Sequence, residues 1–131
     1  MQCASAQVLT SVSKKLAEMH KAGVVHLNLK PSNILWLLQE RRWALSGFAN
    51  MARVGRAVPL RFALAYAAPE VALAQQVQDR EIIADAALDA WALAVIAMEL
   101  FTGSPPFDLM ALGHTRVRTP AAAWPCLTDV M

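Results

Sequence analysis

Three side chains that can bind an anion lie within six positions of one short segment. The stretch VVHLNLKPSNIL places Asn28, Lys30 and Asn33 between two apolar runs. One ammonium group and two carboxamides supply hydrogen-bond donors, which suits an anionic ligand. The segment has no acid, because no Asp or Glu occurs between Glu18 and Glu40. The loop therefore offers groups that hold an anion, but neither a carboxylate base nor a carboxylate ligand for a metal.

The composition is that of a folded chain of one domain. Of its 131 residues, 56% are hydrophobic and only 17% are charged, unlike a disordered sequence. So high an apolar fraction in a short chain predicts apolar surface that meets an unknown protein partner or further sequence. The net charge of +2 gives no reason to expect nucleic acid as a partner. Cys3 and Cys126 are the only cysteines, so neither a disulfide framework nor a metal site is predicted.

No targeting or membrane-spanning segment is predicted. The N-terminus lacks the basic start and apolar stretch of a secretory signal. The most apolar stretch, residues 86–101, contains Asp89 and Glu99 and is shorter than the roughly 20 residues that a membrane span needs. We therefore expect a cytoplasmic protein that does not enter a membrane.

Three helices are predicted from apolar spacing and from the residues that end each pattern. Apolar residues recur at helical spacing over 7–22, and Gly23 follows them as a cap. Pro69 favours a helix start at 69–76. Residues 86–101 are apolar on nearly every face, which predicts a helix buried all round, with Gly103 after it.

Short strands and two loops are predicted between these helices. The strands are expected at Val24–Val25, Ile34–Leu38 and Trp43–Leu45, with the anion-binding loop joining the first two. Residues 46–67 lose periodicity and are predicted to be a long irregular segment, of the kind that often carries function. Residues 77–85 are predicted to be an exposed loop.

Four motifs, in order along the chain, resemble the C-terminal lobe of a eukaryotic protein kinase. AEMHKAGVVHLNLKPSNIL is similar to the end of that lobe's long helix and its catalytic loop, H-R-D-L-K-x-x-N. LSGFAN stands where D-F-G is expected, YAAPE resembles A-P-E, and DAWALAVIAMELFTGSPPF resembles the central buried helix. The resemblance covers about residues 8–108. It implies a mainly α (α+β) fold that comprises the C-terminal lobe only, with short β-strands around the catalytic loop. We therefore expect a partial kinase domain at 1–109 and a poorly ordered tail at 110–131.

The resemblance assigns a role to each polar residue of the loop. Asn28 occupies the position of the catalytic base, and an amide cannot act as a base near neutral pH. Lys30 matches the lysine that neutralises the transferring phosphoryl group, and Asn33 matches the metal-binding asparagine. Both residues are alternatively interpreted as structural, tying down the loop rather than binding phosphate. Leu27 replaces the arginine that pairs with phosphate in the activation segment.

The second acid of the family is also missing. Gly47 occupies the position of the D-F-G aspartate, which holds magnesium in the family, while Phe48 keeps the position of the hydrophobic anchor. The five glycines are isolated, so the sequence contains no G-x-G-x-x-G cover for a nucleotide and only half of the pocket is expected. ATP and magnesium are the cofactors of the family, and we expect neither cofactor nor metal here.

Other residues are interpreted as structural. His26 is predicted to be a packed, hydrogen-bonded histidine rather than an acid–base group. The resemblance implies that Asp89 accepts backbone N–H groups of the catalytic loop, and that Glu70 lacks its usual arginine partner. Trp91 is predicted to lie in the core, together with the methionines Met19 and Met98.

From Gly47 to Ala65 the irregular segment has no residue that can be phosphorylated. No Ser, Thr or Tyr occurs between Gly47 and Ala65, so phosphorylation cannot switch this stretch. Its charged residues are basic and are either solvated or part of a patch that binds phosphate or acids: Arg53, Arg56 and Arg61.

Three functional hypotheses follow. The first is a catalytically inactive pseudokinase that acts by binding or scaffolding. The alternative is phosphotransfer from ATP by a serine/threonine-type kinase whose small lobe is supplied elsewhere, using Lys30 and Asn33. The third is a truncated fragment without a function of its own.

Overall fold

The chain, described here over residues 3–107 of a computed structural model, has three helices at the predicted places. They are α1 (Ala4–Lys21), α2 (Pro69–Gln76) and α3 (Ala86–Thr102). The side chains that α1 buries follow the helical period, which explains why its pattern was readable: Val8, Val12, Leu16 and Met19. The chain leaves α1 through Gly23, whose φ of +77° is a left-handed conformation that favours glycine. The predicted tail at 110–131 lies outside the described residues.

Six short strands form three antiparallel pairs. The strands are β1 (Val24–Val25), β2 (Ile34–Leu37), β3 (Arg42–Leu45), β4 (Ala52–Arg53), β5 (Ala57–Pro59) and β6 (Glu81–Ile83). β1 pairs with β4, β2 pairs with β3 and β5 pairs with β6. The two strands that flank the loop at residues 26–33 thus each pair elsewhere. The loop between them is held by side chains rather than by a hairpin.

Two predictions about irregular structure are wrong in part. Residues 46–67 contain β4 and β5, and the predicted loop at 77–85 contains β6. Val58 of β5 lies opposite Ile82 of β6, a partner that is far away in the sequence. Strands of two or three residues are too short to show an alternating pattern, so these pairings could not be recognised locally.

The core consists of two clusters of buried apolar side chains. The helix cluster joins α1, the β2–β3 hairpin and α3, and includes Leu16, Leu29 and Ile96. The segment cluster joins β1, α2 and the start of α3, and includes Leu27 and Val71. Because Leu27 belongs to one cluster and Leu29 to the other, the loop is anchored on both sides of Asn28.

The prediction that α3 is buried on all sides is wrong. Ile96 is fully buried, but Met98 is 51% exposed and Phe101 is 71% exposed. Trp91 is only half-buried, with its ring stacked on Phe107 at a centroid distance of 6.0 Å. Met19 is buried as predicted. α3 is apolar on nearly every face, as the sequence indicates, but no residue between 3 and 107 covers the face that carries Met98 and Phe101.

Candidate functional site

A buried carboxylate of α3 holds the start of the loop. Asp89 is 1% exposed, and its two oxygens accept the backbone N–H groups of His26 at 2.8 Å and Leu27 at 2.9 Å. Its Oδ2 also lies 2.8 Å from the Nε2 of His20 on α1. A buried charge is tolerated when hydrogen bonds surround it in this way. These contacts are of the kind that the family resemblance implies for Asp89, and they fix the backbone immediately before Asn28.

His26 is fully buried, and the loop uses both of its ring nitrogens. Its Nε2 lies 2.8 Å from the carbonyl oxygen of Ser46, and its Nδ1 accepts the backbone N–H of Asn28 at 3.1 Å. A carbonyl can only accept, so these partners require the neutral tautomer with its proton on Nε2. Burial lowers the pKa of His26, although the Ser46 carbonyl and the Asp89 charge act in the opposite direction. The ring is therefore a structural part of the loop.

A hydrogen bond joins the two asparagines of the loop. The side-chain Nδ2 of Asn33 donates to the backbone oxygen of Asn28 at 2.7 Å. The side-chain Nδ2 of Asn28 lies 3.4 Å from the carbonyl oxygen of Gly47, a long hydrogen bond. Ser46 closes the arrangement, because its N–H donates to the carbonyl oxygen of Asn33 at 2.8 Å. The structure thus brings together three of the residues singled out in the sequence, namely Asn28, Asn33 and Gly47.

The side chain of Asn33 fills the space beside Gly47. Gly47 has φ +74° and ψ +43°, in the left-handed region. A Cβ atom at this position would lie under 3.0 Å from three carboxamide atoms of Asn33. Relieving that contact would move Asn33 and break its hydrogen bond to Asn28. The carboxamide of Asn33 therefore occupies the position of the lost aspartate, and it must shift before a side chain fits there.

The donor set does not fit the magnesium ion of the family. Magnesium prefers carboxylate oxygens, and the loop offers only amides and carbonyls. Among residues 3–107, no group of three or more His, Cys, Asp or Glu side chains is placed to hold a metal. Lys30 is half-buried, and its ammonium has no hydrogen bond or ion pair within the described part of the chain. It is the one cationic group of the loop.

The remaining predicted structural residues are Phe48 and Glu70, and both are exposed. Phe48 is 41% exposed and makes an edge-on contact with the His26 ring, at a centroid distance of 5.2 Å. It therefore anchors the loop through one face only. Glu70 is exposed at the start of α2 and has no ion pair to any residue from 3 to 107.

Sequence reasoning missed the structural part played by Leu27. Its φ is +63°, which is unusual for a residue with a side chain, and it is 4% exposed in the segment cluster. The replacement of an arginine by an apolar residue was visible in the sequence, but the direction of the side chain was not. An apolar contact with α2 and with residues of the irregular segment stands where the family uses a charged one.

A second missed contact links the irregular segment to α3. The hydroxyl of Tyr66 donates to Oε2 of Glu99 at 2.6 Å, and Glu99 is buried. Burial, together with the hydrogen bond and the charge of Glu99, raises the pKa of Tyr66, so the phenol stays a donor. A buried acid on α3 and a single tyrosine were visible in the sequence, but their pairing was not.

Comparison with known proteins agrees with this geometry. A family model described as the protein kinase domain matches residues 2–120. The chain is 32% identical over 108 residues to a calcium and calcium/calmodulin-dependent serine/threonine-protein kinase of Lilium longiflorum, covering 79% of this chain and 19% of that protein. It is 37% identical over 112 residues to ribosomal protein S6 kinase alpha-4 of Homo sapiens, covering 79% of this chain and 14% of that protein.

A solved structure has the same fold. The Cydia pomonella granulovirus kinase PK-1 superposes with a TM-score of 0.66 at 23% identity, over 81% of this chain and 38% of that one. The chain belongs to the protein kinase family. It is part of a protein kinase domain and spans about a seventh to a fifth of the length of the two curated relatives. Within residues 3–107, no helix is long and apolar enough to cross a membrane.

Proposed function

We propose that this chain is a catalytically inactive kinase domain that acts by binding another protein. One observation carries the proposal: the carboxamide of Asn33 packs against Gly47 and donates to the backbone of Asn28. Asn33 thereby bridges the two positions, 28 and 47, where the family uses acids. A side chain that would ligate a metal is instead a structural part of the loop.

The chemistry of phosphoryl transfer supports this proposal. Such catalysis depends on a positioned acceptor for the hydroxyl proton and on metal ions that neutralise the phosphates. The amide of Asn28 cannot take up that proton, and the loop has no carboxylate for a metal. The cavity beside Asn28, which Phe62 and Tyr66 also line, has a volume of about 20 Å³. That volume suits roughly one water molecule rather than a substrate side chain.

The order of the loop and the exposed apolar surface support a binding role. The contacts of Asp89 and His26 keep the loop backbone in place although both acids are gone. Large apolar side chains are exposed on α2, at the residue that follows it, on β6 and on α3: Leu73, Val77, Ile83, Met98 and Phe101. Exposed apolar area of this kind is typical of surfaces that contact another protein.

The rival is a serine/threonine-type kinase that still transfers phosphate. It is favoured by the similarity to two kinases, one of them a serine/threonine-protein kinase, and by the presence of Lys30 and Asn33. The test is transfer of radiolabelled phosphate from Mg-ATP to a generic protein substrate by the 131-residue chain, with Lys30→Ala as the control variant. We expect no transfer above background. Transfer that Lys30→Ala abolishes would establish the rival.

Restoring acids at positions 28 and 47 tests whether the chain could still bind Mg-ATP. Asn28→Asp keeps the size of the side chain but replaces the donor to the Gly47 oxygen by an acceptor, whereas Gly47→Asp must displace Asn33 and adopt a left-handed φ. We therefore expect the double variant to bind Mg-ATP no tighter than about millimolar by calorimetry. Micromolar binding would show that Asn33 shifts readily, and the argument from packing would fail.

A further inference from the structure

A tight turn between β4 and β5 presents two arginines. The N–H of Arg56 donates to the carbonyl oxygen of Arg53 at 3.2 Å, and Gly55 supplies a φ of +87°. The turn is tied to its surroundings by Val54 N–H to the Gly23 oxygen at 3.0 Å and by Gly55 N–H to the Ala84 oxygen at 2.8 Å. Its backbone is therefore fixed on both sides, while both arginine side chains are exposed.

The two arginines line an open cleft, which we call the arginine cleft. It has a volume of about 490 Å³, and its other walls are apolar: Val24, Met51, Ala52, Ala57 and Val58. The cleft thus combines an apolar floor with two guanidinium groups. Guanidinium groups bind carboxylates through paired N–H donors, and they remain charged at all physiological pH values.

Neither arginine has an acidic partner within the described part of the chain. The ion pairs of residues 3–107 involve other side chains, and no Asp or Glu occurs between Glu40 and Glu70. Asp85, which follows the Ala84 that bonds to the turn, is already engaged by the N–H of Ala87 at 2.7 Å as the cap of α3. The positive charge of the turn is therefore not neutralised by its neighbours.

We propose that the arginine cleft docks an acidic peptide segment of another protein. Two of its carboxylates bind Arg53 and Arg56, and an apolar side chain between them enters the cleft. This inference deepens the proposed binding function and rests on it, because it names the partner chemistry. The irregular segment, which carries both arginines, needs no phosphorylation to become ordered, since Leu27 and its apolar neighbours hold it in place.

The turn suits carboxylates better than a phosphate. Phosphate sites on loops use several free backbone N–H groups that converge on the ligand. Here the N–H groups of Val54, Gly55 and Arg56 are all donated to carbonyl oxygens of the chain. Only the two arginine side chains remain, and each can take one carboxylate in paired hydrogen bonds.

Fluorescence anisotropy with the 131-residue chain tests the proposal. The probe is a labelled peptide of alternating Glu and Leu, and the control probe has Lys in place of each Glu. We expect the acidic peptide alone to bind, with an affinity that falls as salt is raised. Arg53→Glu combined with Arg56→Glu should weaken binding by about tenfold or more. Neutral Gln at the same two positions should weaken it less, and circular dichroism verifies that both variants fold.

A matched variant separates the cleft from net charge. Lys14→Glu with Arg41→Glu changes the charge by the same amount at exposed positions that do not line the cleft. We expect its affinity to stay within about twofold of the wild type. If both double variants lose the same amount of affinity for the acidic peptide, the proposal is overturned, because net charge alone would then explain binding.

Two further results would also overturn the docking proposal. The first is the absence of binding by the acidic peptide. The second is about tenfold tighter binding when phosphoserine replaces one Glu, which would make the cleft a phosphate site. Neither result bears on catalytic inactivity, which the phosphotransfer assay decides by itself, and phosphotransfer would not remove a docking site that the arginine variants define.

Discussion

Replacing Asp89 by Asn removes the charge that holds the loop while leaving the size of the side chain unchanged. The carboxylate accepts two buried backbone N–H groups, of His26 and Leu27, and an amide can accept only one of them. The other N–H would face an NH₂ group and lose its partner. Hydrogen bonds to charged groups contribute about 1.5–3 kcal/mol, so losing one and weakening the other should cost about 2–4 kcal/mol. That is a large share of the roughly 5–15 kcal/mol that stabilises a typical domain.

Urea denaturation followed by tryptophan fluorescence measures this loss. The matched control is Asp85→Asn, the same change at the exposed cap of the same helix, where the side chain accepts the N–H of Ala87. Asn caps helices about as well as Asp, so the control should change the free energy of unfolding by less than about 0.5 kcal/mol. If Asp89→Asn unfolds at the same urea concentration as Asp85→Asn, the loop is not held by this carboxylate and the reasoning is refuted.

Three further predictions concern the core and its titration. The folded chain holds His26 neutral with a lowered pKa, whereas the unfolded chain takes up the proton near the ordinary value of 6.5. The contribution of His26 to the free energy of unfolding should therefore be complete above that pH and fall below it. A His26→Gln variant whose free energy of unfolding has the same dependence on pH would contradict this. Tyr66→Phe should lower the free energy of unfolding in urea by about 1.5–3 kcal/mol, because buried Glu99 loses a charge-assisted hydrogen bond. Adding Glu99→Gln to this variant should recover part of the loss. If it recovers none, the effect of Tyr66→Phe comes from packing. Ile96→Ala should cost about 2–5 kcal/mol, while Met98→Ala, two positions further on the exposed face, should cost much less; similar thermal melts for the two variants would mean that the described burial of α3 is wrong.

The helices could be predicted because their information is local. The apolar spacing of α1 and the proline that begins α2 lie within the element that they define, and the observed bounds differ from the predicted ones by at most a few residues. β5 and β6 could not be found in this way, because Val58 is paired with Ile82 across more than twenty positions. The exposed face of α3 was misjudged for a related reason: apolar composition shows that a face avoids water, but not which part of the chain covers it.

The candidate site could be predicted only as a set of residue types. The motif positions of Asn28 and Gly47 were enough to show that both acids are missing. That Asn33 turns toward Gly47 depends on the left-handed backbone of Gly47 and on the hydrogen bond to Asn28, and neither is encoded in the spacing of the motif. The direction of Leu27, likewise, follows from a φ of +63° that no local pattern predicts for leucine.

The contact between His20 and Asp89 joins positions 69 residues apart, and it has a consequence for how the chain folds during its synthesis. α1 is amphipathic and packs on the β2–β3 hairpin that soon follows it, but the part of its apolar face that packs on α3 finds its partners only after the segment and strands between them have been made. Until then the side chains of α1 that face α3 are exposed in an incomplete chain, the state in which nascent proteins aggregate or bind chaperones. Pairings of such sequence separation also slow folding, because the chain between the two residues must lose conformational entropy before the contact forms. Shortening the nascent chain to end before α3 should therefore leave α1 accessible to proteolysis, whereas a chain that extends beyond Thr102 should protect it.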